Sequence, residues 1–207
     1  MSHKTLAFVN LKGGTGKTTS TAFVSHQLAS TDRAVLMVDA DPQGSLLRWS
    51  ESAAWAIPTI ALPVRNLDSR LGGIVPPGVE IVVVDTPPTD DQRGITAAAI
   101  RSADVLVVPM APTLLDFERF KDVSALIELE RADRPAAART VVLLNRTVTN
   151  ARSTRMYREI ITELGHQVLE SEVARREVVA QSFGSRVAFG SVFEAVAREV
   201  AELLESP

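Results

Sequence analysis

The chain contains no cysteine among its 207 residues, and aromatic side chains make up only 5% of it. Without thiols it can form neither disulfide bonds nor a thiolate metal site, so an iron–sulfur cluster is excluded. The lack of cysteine suits a reducing compartment, which predicts a cytoplasmic protein. The three histidines, His3, His26 and His166, are isolated and lack the spacing of metal ligands.

Long apolar runs and a strong charge of either sign are also missing. No stretch approaches the length of about 20 apolar residues that a membrane span needs. Residues 1–4 lead directly into an apolar segment, which predicts no signal peptide. The net charge of −3 argues against bulk attraction to nucleic acid, so any DNA contact must come from a local patch.

Short apolar runs alternate with helical patterns along the chain, and hydrophobic residues make up 45% of it. Runs that are apolar throughout are typical of parallel strands covered on both faces. The sequence therefore predicts a single α/β domain over residues 1–207, with a twisted, mostly parallel sheet and helices on both faces. The main predicted strands are 34–38, 80–85, 104–109 and 140–144.

A glycine-rich segment, Leu11 to Thr19, follows the first predicted strand and precedes the first predicted helix. Its glycines let backbone N–H groups converge on an anion, and the helix start adds its positive dipole end. Lys17 can then reach the β- and γ-phosphates, the Thr18 hydroxyl can ligate Mg²⁺, and Thr19 can meet the α-phosphate. The pattern predicts a P-loop that binds a nucleoside triphosphate.

The loop departs from the general P-loop pattern at its start. Leu11 occupies the place of the first glycine, and a second lysine, Lys12, follows it. In this the segment resembles the deviant Walker A box of the ParA/MinD ATPases, in particular the short, ParF-like partition ATPases. The resemblance implies that Lys12 crosses a dimer interface to the partner's phosphates; the alternative is a solvated loop charge. The implied nucleotide-binding residues are Lys12, Gly13, Gly14, Thr15, Gly16, Lys17, Thr18 and Thr19.

Two aspartates, Asp39 and Asp41, end the second predicted strand, at the edge where ligands bind in open α/β sheets. The resemblance identifies this segment as switch I, with Asp41 orienting or deprotonating the attacking water and Asp39 near Mg²⁺. The catalytic residues implied are then Lys12, Lys17 and Asp41. The alternative is that Asp41 caps the helix predicted over 45–50.

A third aspartate, Asp85, ends a strand of hydrophobic residues. This is a Walker B pattern, in which the carboxylate holds Mg²⁺ through water near Thr18. The implied metal residues are thus Thr18, Asp39 and Asp85. The following loop, which carries Thr89, Asp90 and Asp91, resembles switch II.

Asn145 ends a later predicted strand and resembles the base-contacting position of P-loop ATPases. The alternative is an ordinary turn former, since asparagine is frequent at such places. A second feature, the arginine pair Arg175 and Arg176, belongs to a segment that runs on to 189–193. This segment resembles a loop that passes near the base in small ParA proteins, and the resemblance assigns no role to its individual residues.

Residues 134–158 hold six arginines and no acidic residue. Arg152, Arg155 and Arg158 open a predicted helix whose other face carries apolar residues from Met156 to Leu164, so we expect the three arginines to share an exposed side. Such a patch could bind DNA phosphates without reading sequence, as the resemblance implies. The alternative is a solvated helix face with ordinary ion pairs.

The last predicted helix, 193–205, carries four glutamates and one arginine on its polar side. A membrane-surface helix needs lysine and arginine there, so its apolar stripe is predicted to dock on the domain, and no membrane partner is expected.

Taken over the whole chain, the resemblance implies an ATP- and Mg²⁺-dependent partition ATPase. An ATP-induced sandwich homodimer would bind DNA non-specifically on the nucleoid, and a ParB/ParG-like partner protein would stimulate hydrolysis and release it. One alternative is a ParA-like ATPase that positions another cargo, a carboxysome or a chemoreceptor cluster. A second alternative is a ligase similar to dethiobiotin synthetase, which shares the glycine-rich loop.

Overall fold

A computed structural model describes residues 3–88, 90–132, 139–187 and 192–206, with the backbone but not the side chain of Asp90. Thr89 of the predicted switch II, Arg134 of the arginine run and residues 189–191 of the base-proximal segment lie outside the described residues.

The core of the fold is a parallel sheet with the strand order β3-β2-β4-β1-β5-β6-β7, and β8 pairs with β6. Every pairing between the described strands is parallel, which confirms the predicted α/β fold. The strands are β1 (Lys4–Phe8), β2 (Val35–Asp39), β3 (Thr59–Ala61), β4 (Ile81–Asp85), β5 (Val105–Met110), β6 (Arg139–Thr147), β7 (Gln167–Val168) and β8 (Val173–Ala174).

Helices cover both faces of this sheet. They are α1 (Lys17–Ala29), α2 (Ser45–Ser52), α3 (Leu67–Ile74), α4 (Arg93–Ser102), α5 (Leu114–Arg131), α6 (Arg152–Glu163), α7 (Glu177–Ala180) and α8 (Glu194–Glu205), with a 3-10 turn at Asp90–Gln92. Because strand side chains alternate, Leu6 and Phe8 of β1 join the core under α1, α2 and α8, and Ala7 joins the core under α3 to α6.

The last helix, α8, docks on α1 as its apolar stripe predicts. Val196 and Val200 are fully buried, and the ring of Phe193, just before the helix, stacks on Phe23 with centroids 5.0 Å apart. Within the described ranges, no helix combines the length and the apolar composition that crossing a bilayer requires.

Helix α6 is rotated relative to the sequence prediction. Its buried residues are Thr154, Tyr157 and Ile161, whereas Met156 and Leu164 are 46% and 56% exposed. Residues spaced three and four apart share one face of a helix, so this buried face runs along the side of Arg158. The prediction that Arg158 shares a broad exposed side with the other two arginines is therefore wrong.

The carboxyl-terminal region also differs in detail from the prediction. Strand β6 continues past residue 144 to Thr147, and its pairing with β8 is irregular between Asn145 and Thr147. Neither β8 nor α7 was predicted, because elements of two and four residues are too short to show a hydrophobic period.

Candidate functional site: a phosphate loop at the carboxyl edge of the sheet

The glycine-rich segment forms a loop between β1 and α1. Gly14 and Gly16 have φ angles of 73° and 94°, in the left-handed region that glycine adopts without strain. Gly16 is the N-cap of α1 and supplies no side-chain cap, so backbone N–H groups of the first turn remain for a ligand. A Cβ at Gly16 would lie 2.3 Å from Nδ2 of Asn145, so this position also requires glycine for space.

The first lysine of α1, Lys17, is buried against the loop. Its Nζ donates to the carbonyl of Lys12 at 3.3 Å. Burial lowers the pKa of Lys17, and the nearby carboxylates of Asp85 and Asp41 oppose this shift. A buried ammonium that bonds a single carbonyl among the described residues is suited to an anionic ligand such as a phosphate.

Thr18 and Asp85 meet at the centre of the edge. The Thr18 hydroxyl donates to Oδ2 of Asp85 at 2.7 Å, while Oδ1 of this fully buried carboxylate has no partner among the described residues. Burial raises the pKa of Asp85 to about 7, although the Thr18 hydrogen bond opposes the shift.

This pair fits Mg²⁺. A hydroxyl and a free carboxylate oxygen side by side are ligand types that the ion prefers, and Mg²⁺ usually takes one or two protein ligands together with phosphates and water. The described part of the chain has no cluster of three or more His, Cys, Asp or Glu residues that could hold a metal.

Asp39 lies beside Asp85 in the register of β2 and β4, and it is also fully buried. Its Oδ1 accepts from the backbone N–H of Asp41 at 3.1 Å and its Oδ2 from that of Leu47 at 2.9 Å. Burial raises the pKa of Asp39, and these backbone bonds oppose the shift. Asp39 thus fixes the start of the loop and caps α2; its contact with Mg²⁺ stays a prediction.

Asp41 is half-buried in the same loop. Its Oδ1 accepts from the N–H of Gln43 at 2.9 Å, which closes a turn, and the N-cap of α2 is Gly44. The alternative in which Asp41 caps this helix is wrong, because the N–H of Leu47 bonds Asp39 instead. The catalytic role of Asp41 stays a prediction.

Lys12 forms an ion pair that the sequence did not reveal. Its Nζ lies 2.7 Å from Oδ2 of Asp116, a carboxylate that is 6% exposed and also accepts from the Thr113 hydroxyl at 2.8 Å. Lys12 is therefore not a solvated loop charge. Asp116 in the first turn of α5 was the available sequence signal. The segments that follow β1 and β5 lie close together because these strands are neighbours, and Lys12 follows β1 while α5 follows β5.

Asn145 is buried behind the loop. Its Nδ2 donates to the Thr15 carbonyl at 2.7 Å, and its Oδ1 accepts from the N–H of Arg146. Next to it lies a cavity of about 460 Å³ that Gly16 and Thr19 border on one side. The contact of Asn145 with adenine stays a prediction; what the structure adds is its bond to the loop.

The cavity is also lined by residues to which the sequence assigns no role. Arg175 and Arg176 line it together with apolar residues of β8 and α7. The backbone N–H of Arg175 bonds the carbonyl of Thr147, which holds this segment against the end of β6.

The three arginines of α6 differ from one another. Arg152 and Arg155 are exposed, and Arg155 makes only a loose ion pair with Glu159 at 3.9 Å. Arg158 is partly buried and donates to the carbonyls of Leu169 and Glu170. The structure therefore brings the first two to the surface and uses the third to attach the segment after β7.

Similarity to known proteins extends over most of the chain. Residues 6–187 match the CobQ/CobB/MinD/ParA nucleotide binding domain family. The maintenance of carboxysome distribution protein A of Halothiobacillus neapolitanus is 35% identical over 202 residues, covering 94% of this chain and 88% of that protein.

Solved structures share the fold at low identity. A Cyanothece McdA variant in complex with ATP has a TM-score of 0.72 at 19% identity, over 99% of this chain and 97% of that one. A putative plasmid partition protein of Borrelia burgdorferi bound to AMPPNP has a TM-score of 0.75 at 15% identity, over 98% of both chains.

Proposed function

We propose that the ATPase cycle of this chain positions a carboxysome or a similar large cargo inside the cell. The chain belongs to the CobQ/CobB/MinD/ParA nucleotide binding domain family. The chain is a ParA/MinD-type ATPase, and its cofactors are ATP and Mg²⁺. DNA partition, the main prediction from the sequence, is not confirmed. The cargo-positioning alternative has the better support.

The observation that carries this proposal is the 35% identity to a carboxysome-distribution protein over nearly the full length of both chains. The geometry agrees with the ATPase part of it. Lys17 and the backbone of the loop are arranged for phosphates, and Thr18 with Asp85 is arranged for Mg²⁺. When bound, Mg²⁺ supplies charge neutralisation on the phosphates.

Dimerisation on ATP is the second part of the proposal. Lys12 of one protomer would leave Asp116 and reach the phosphates held by the other protomer, as the family resemblance implies. The position of Lys12 supports this, because its side chain is 29% exposed beside the loop, and the charge of the partner's phosphates would replace that of Asp116. Asp41 would orient the attacking water, being on the loop that Asp39 fixes.

DNA would serve as the track on which the dimer is retained. Arg152 and Arg155 supply exposed cations without sequence readout, and Arg158 would hold α6 in place for them. An adaptor on the cargo, comparable in role to a ParB/ParG-like partner, would stimulate hydrolysis and release the dimer from the nucleoid.

The test is deletion of the gene in its source organism, followed by complementation and imaging of labelled compartments and plasmids. We expect compartments to cluster in the deletion strain, the wild-type gene to restore their even spacing, and the Lys12→Ala variant to fail at equal expression. Complementation with Lys121→Ala is the matched control, since Lys121 is an exposed lysine of α5 paired with Glu118. Normal spacing of compartments together with plasmid loss in the deletion strain would contradict cargo positioning and support DNA partition instead.

A further inference from the structure

A cavity of about 280 Å³ lies at the start of α6. Thr154, Arg155 and Arg158 of the helix line it, together with Ala151 just before the helix. None of its described lining residues belongs to the phosphate loop. We call this cavity the α6 pocket, and it has no part in the nucleotide site described above.

The buried polar residue of the α6 pocket is Thr154. This residue is only 8% exposed, yet its Oγ1 has no hydrogen-bond partner among the described residues. A threonine inside a helix often bonds the carbonyl four residues earlier, and Thr154 does not. A buried hydroxyl without a partner costs free energy. A ligand in the pocket that accepts this hydrogen bond would remove the cost.

The start of α6 offers further donors beside this hydroxyl. The N-cap is Ala151, which has no side chain that could cap the helix, and the first turn carries no acidic residue. The first backbone N–H groups of a helix have no partner within it, and the positive end of the helix dipole favours an anion. The α6 pocket is therefore next to a helix end that suits a negatively charged ligand.

The charged side chains of the α6 pocket also favour an anion. The side chain of Arg155 is 78% exposed and makes only a loose ion pair with Glu159, at 3.9 Å. Arg158 is already bonded to backbone carbonyls. Glu172, the single carboxylate among the described lining residues, accepts from the Thr147 hydroxyl at 3.2 Å and lies 3.9 Å from Arg158. Arg155 is thus the cation of the pocket that a ligand can reach.

We propose that the α6 pocket binds one phosphate group of the DNA backbone. The donors are the Thr154 hydroxyl, the N–H groups of the first turn of α6 and the guanidinium of Arg155. Threonine hydroxyls, helix N-termini and arginines are the groups that proteins commonly place on DNA phosphates. The inference rests on the DNA-binding part of the proposed function. It adds a neutral, buried donor to the exposed arginines and so fixes where one phosphate sits.

The test measures binding of double-stranded DNA to the protein loaded with Mg²⁺ and a non-hydrolysable ATP analogue. Thr154→Val removes the hydroxyl and keeps the shape of the side chain, so the melting temperature should not fall. We expect the Kd for DNA to rise about tenfold, while the slope of log Kd against log salt stays the same because no charge is lost. Thr162→Val makes the same change at an exposed threonine of α6 outside the pocket, and this matched control should bind DNA as the wild type does.

Two failures can be told apart by the same experiment. Unchanged DNA affinity in Thr154→Val would overturn the inference and leave the DNA-binding part of the proposed function in place. Wild-type protein that binds no DNA would overturn both. An altered salt slope in Thr154→Val would overturn the direct hydrogen bond, because the arginines rather than the hydroxyl would then have changed.

Inorganic phosphate is the second ligand, and calorimetry follows its binding to the same analogue-loaded proteins. We expect no difference between wild type and Thr154→Val that exceeds the difference seen with DNA. If inorganic phosphate binds the wild type but not Thr154→Val, while DNA binds both alike, the α6 pocket takes free phosphate. DNA as the source of the phosphate group would then be wrong.

Discussion

The two halves of the sheet's carboxyl edge are built differently. Around β1, β2 and β4 the polar groups are buried and hold one another: Asp85 accepts from Thr18, and Asp39 accepts from two backbone N–H groups. Around β6 and α6 several arginines are exposed, and the partly buried Arg158 donates to two backbone carbonyls. The first half is a buried network of groups that bond one another, whereas the arginines of the second half are largely independent of one another. This contrast predicts mutational effects of very different size.

The largest effect is expected in the buried half, at Lys17. Replacing it with alanine removes the one ammonium that faces the loop from α1, so ADP affinity in the presence of Mg²⁺ should fall by at least about 100-fold. Isothermal titration calorimetry measures this, with Lys121→Ala as the control for loss of a lysine. If Lys17→Ala kept its affinity for ADP, the buried half would not be the more sensitive of the two halves to mutation.

The next effect concerns Gly16, where the two halves meet. Gly16→Ala forces a Cβ against Asn145 in a backbone with φ of 94°, so the free energy of unfolding should fall by about 3 kcal/mol in urea denaturation. In an Asn145→Ala background the same change should cost about 1 kcal/mol less, because the clash is gone and only the strain remains. Additive costs in this double-mutant cycle would rule out the clash.

A smaller effect is expected from the pH dependence of the buried half. Because burial raises the pKa of Asp85 from 3.8 to about 7, the folded chain binds a proton between these values that the unfolded chain releases. The free energy of unfolding of the nucleotide-free protein should therefore fall as pH rises from 4 to 7, by about 3 kcal/mol.

The Asp85→Asn variant separates this contribution. It should flatten most of the slope, and a shallower slope should remain from Asp39, whose pKa burial also raises. Urea denaturation at several pH values between 4 and 7 measures both. A wild-type slope in Asp85→Asn would show that another group carries the pH dependence.

The smallest effects belong to α6. Arg158→Ala should lower the free energy of unfolding by about 1 kcal/mol, since two carbonyls lose a charged donor. Arg155→Ala, at a side chain that is 78% exposed, should change it by less than about 0.5 kcal/mol. On DNA, with an ATP analogue, the Arg155 variant should reduce the salt slope by about 1. An unchanged slope would place the DNA contact elsewhere.

The same contrast explains what could be predicted from the sequence. The strands that form the buried half are apolar throughout and end in Asp39 and Asp85, so both the elements and their shared edge follow from the pattern. The roles of Gly16 and Lys17 could be predicted from their position between a predicted strand and a predicted helix. Burial on both faces leaves little freedom in composition, which is why the pattern is clear there.

The other half depends on geometry that spacing does not determine. The apolar residues of α6 fit more than one rotation of the helix, and the packing of Tyr157 and Ile161 selected the one that partly buries Arg158. The ion pair between Lys12 and Asp116 joins residues 104 positions apart, and the irregular pairing beside Arg146 is with the two-residue strand β8. Each of these requires the tertiary structure, because no local pattern encodes it.

One consequence follows from the pairing of β2 with β4, which sets Asp39 opposite Asp85. Side chains alternate between the two faces of a strand, so a slip of a single residue would turn one of these carboxylates to the far side of the sheet. A misaligned chain would then keep the two carboxylates on opposite faces, so that they could no longer act on one ligand. The register of these two strands therefore decides whether the two buried carboxylates stand side by side.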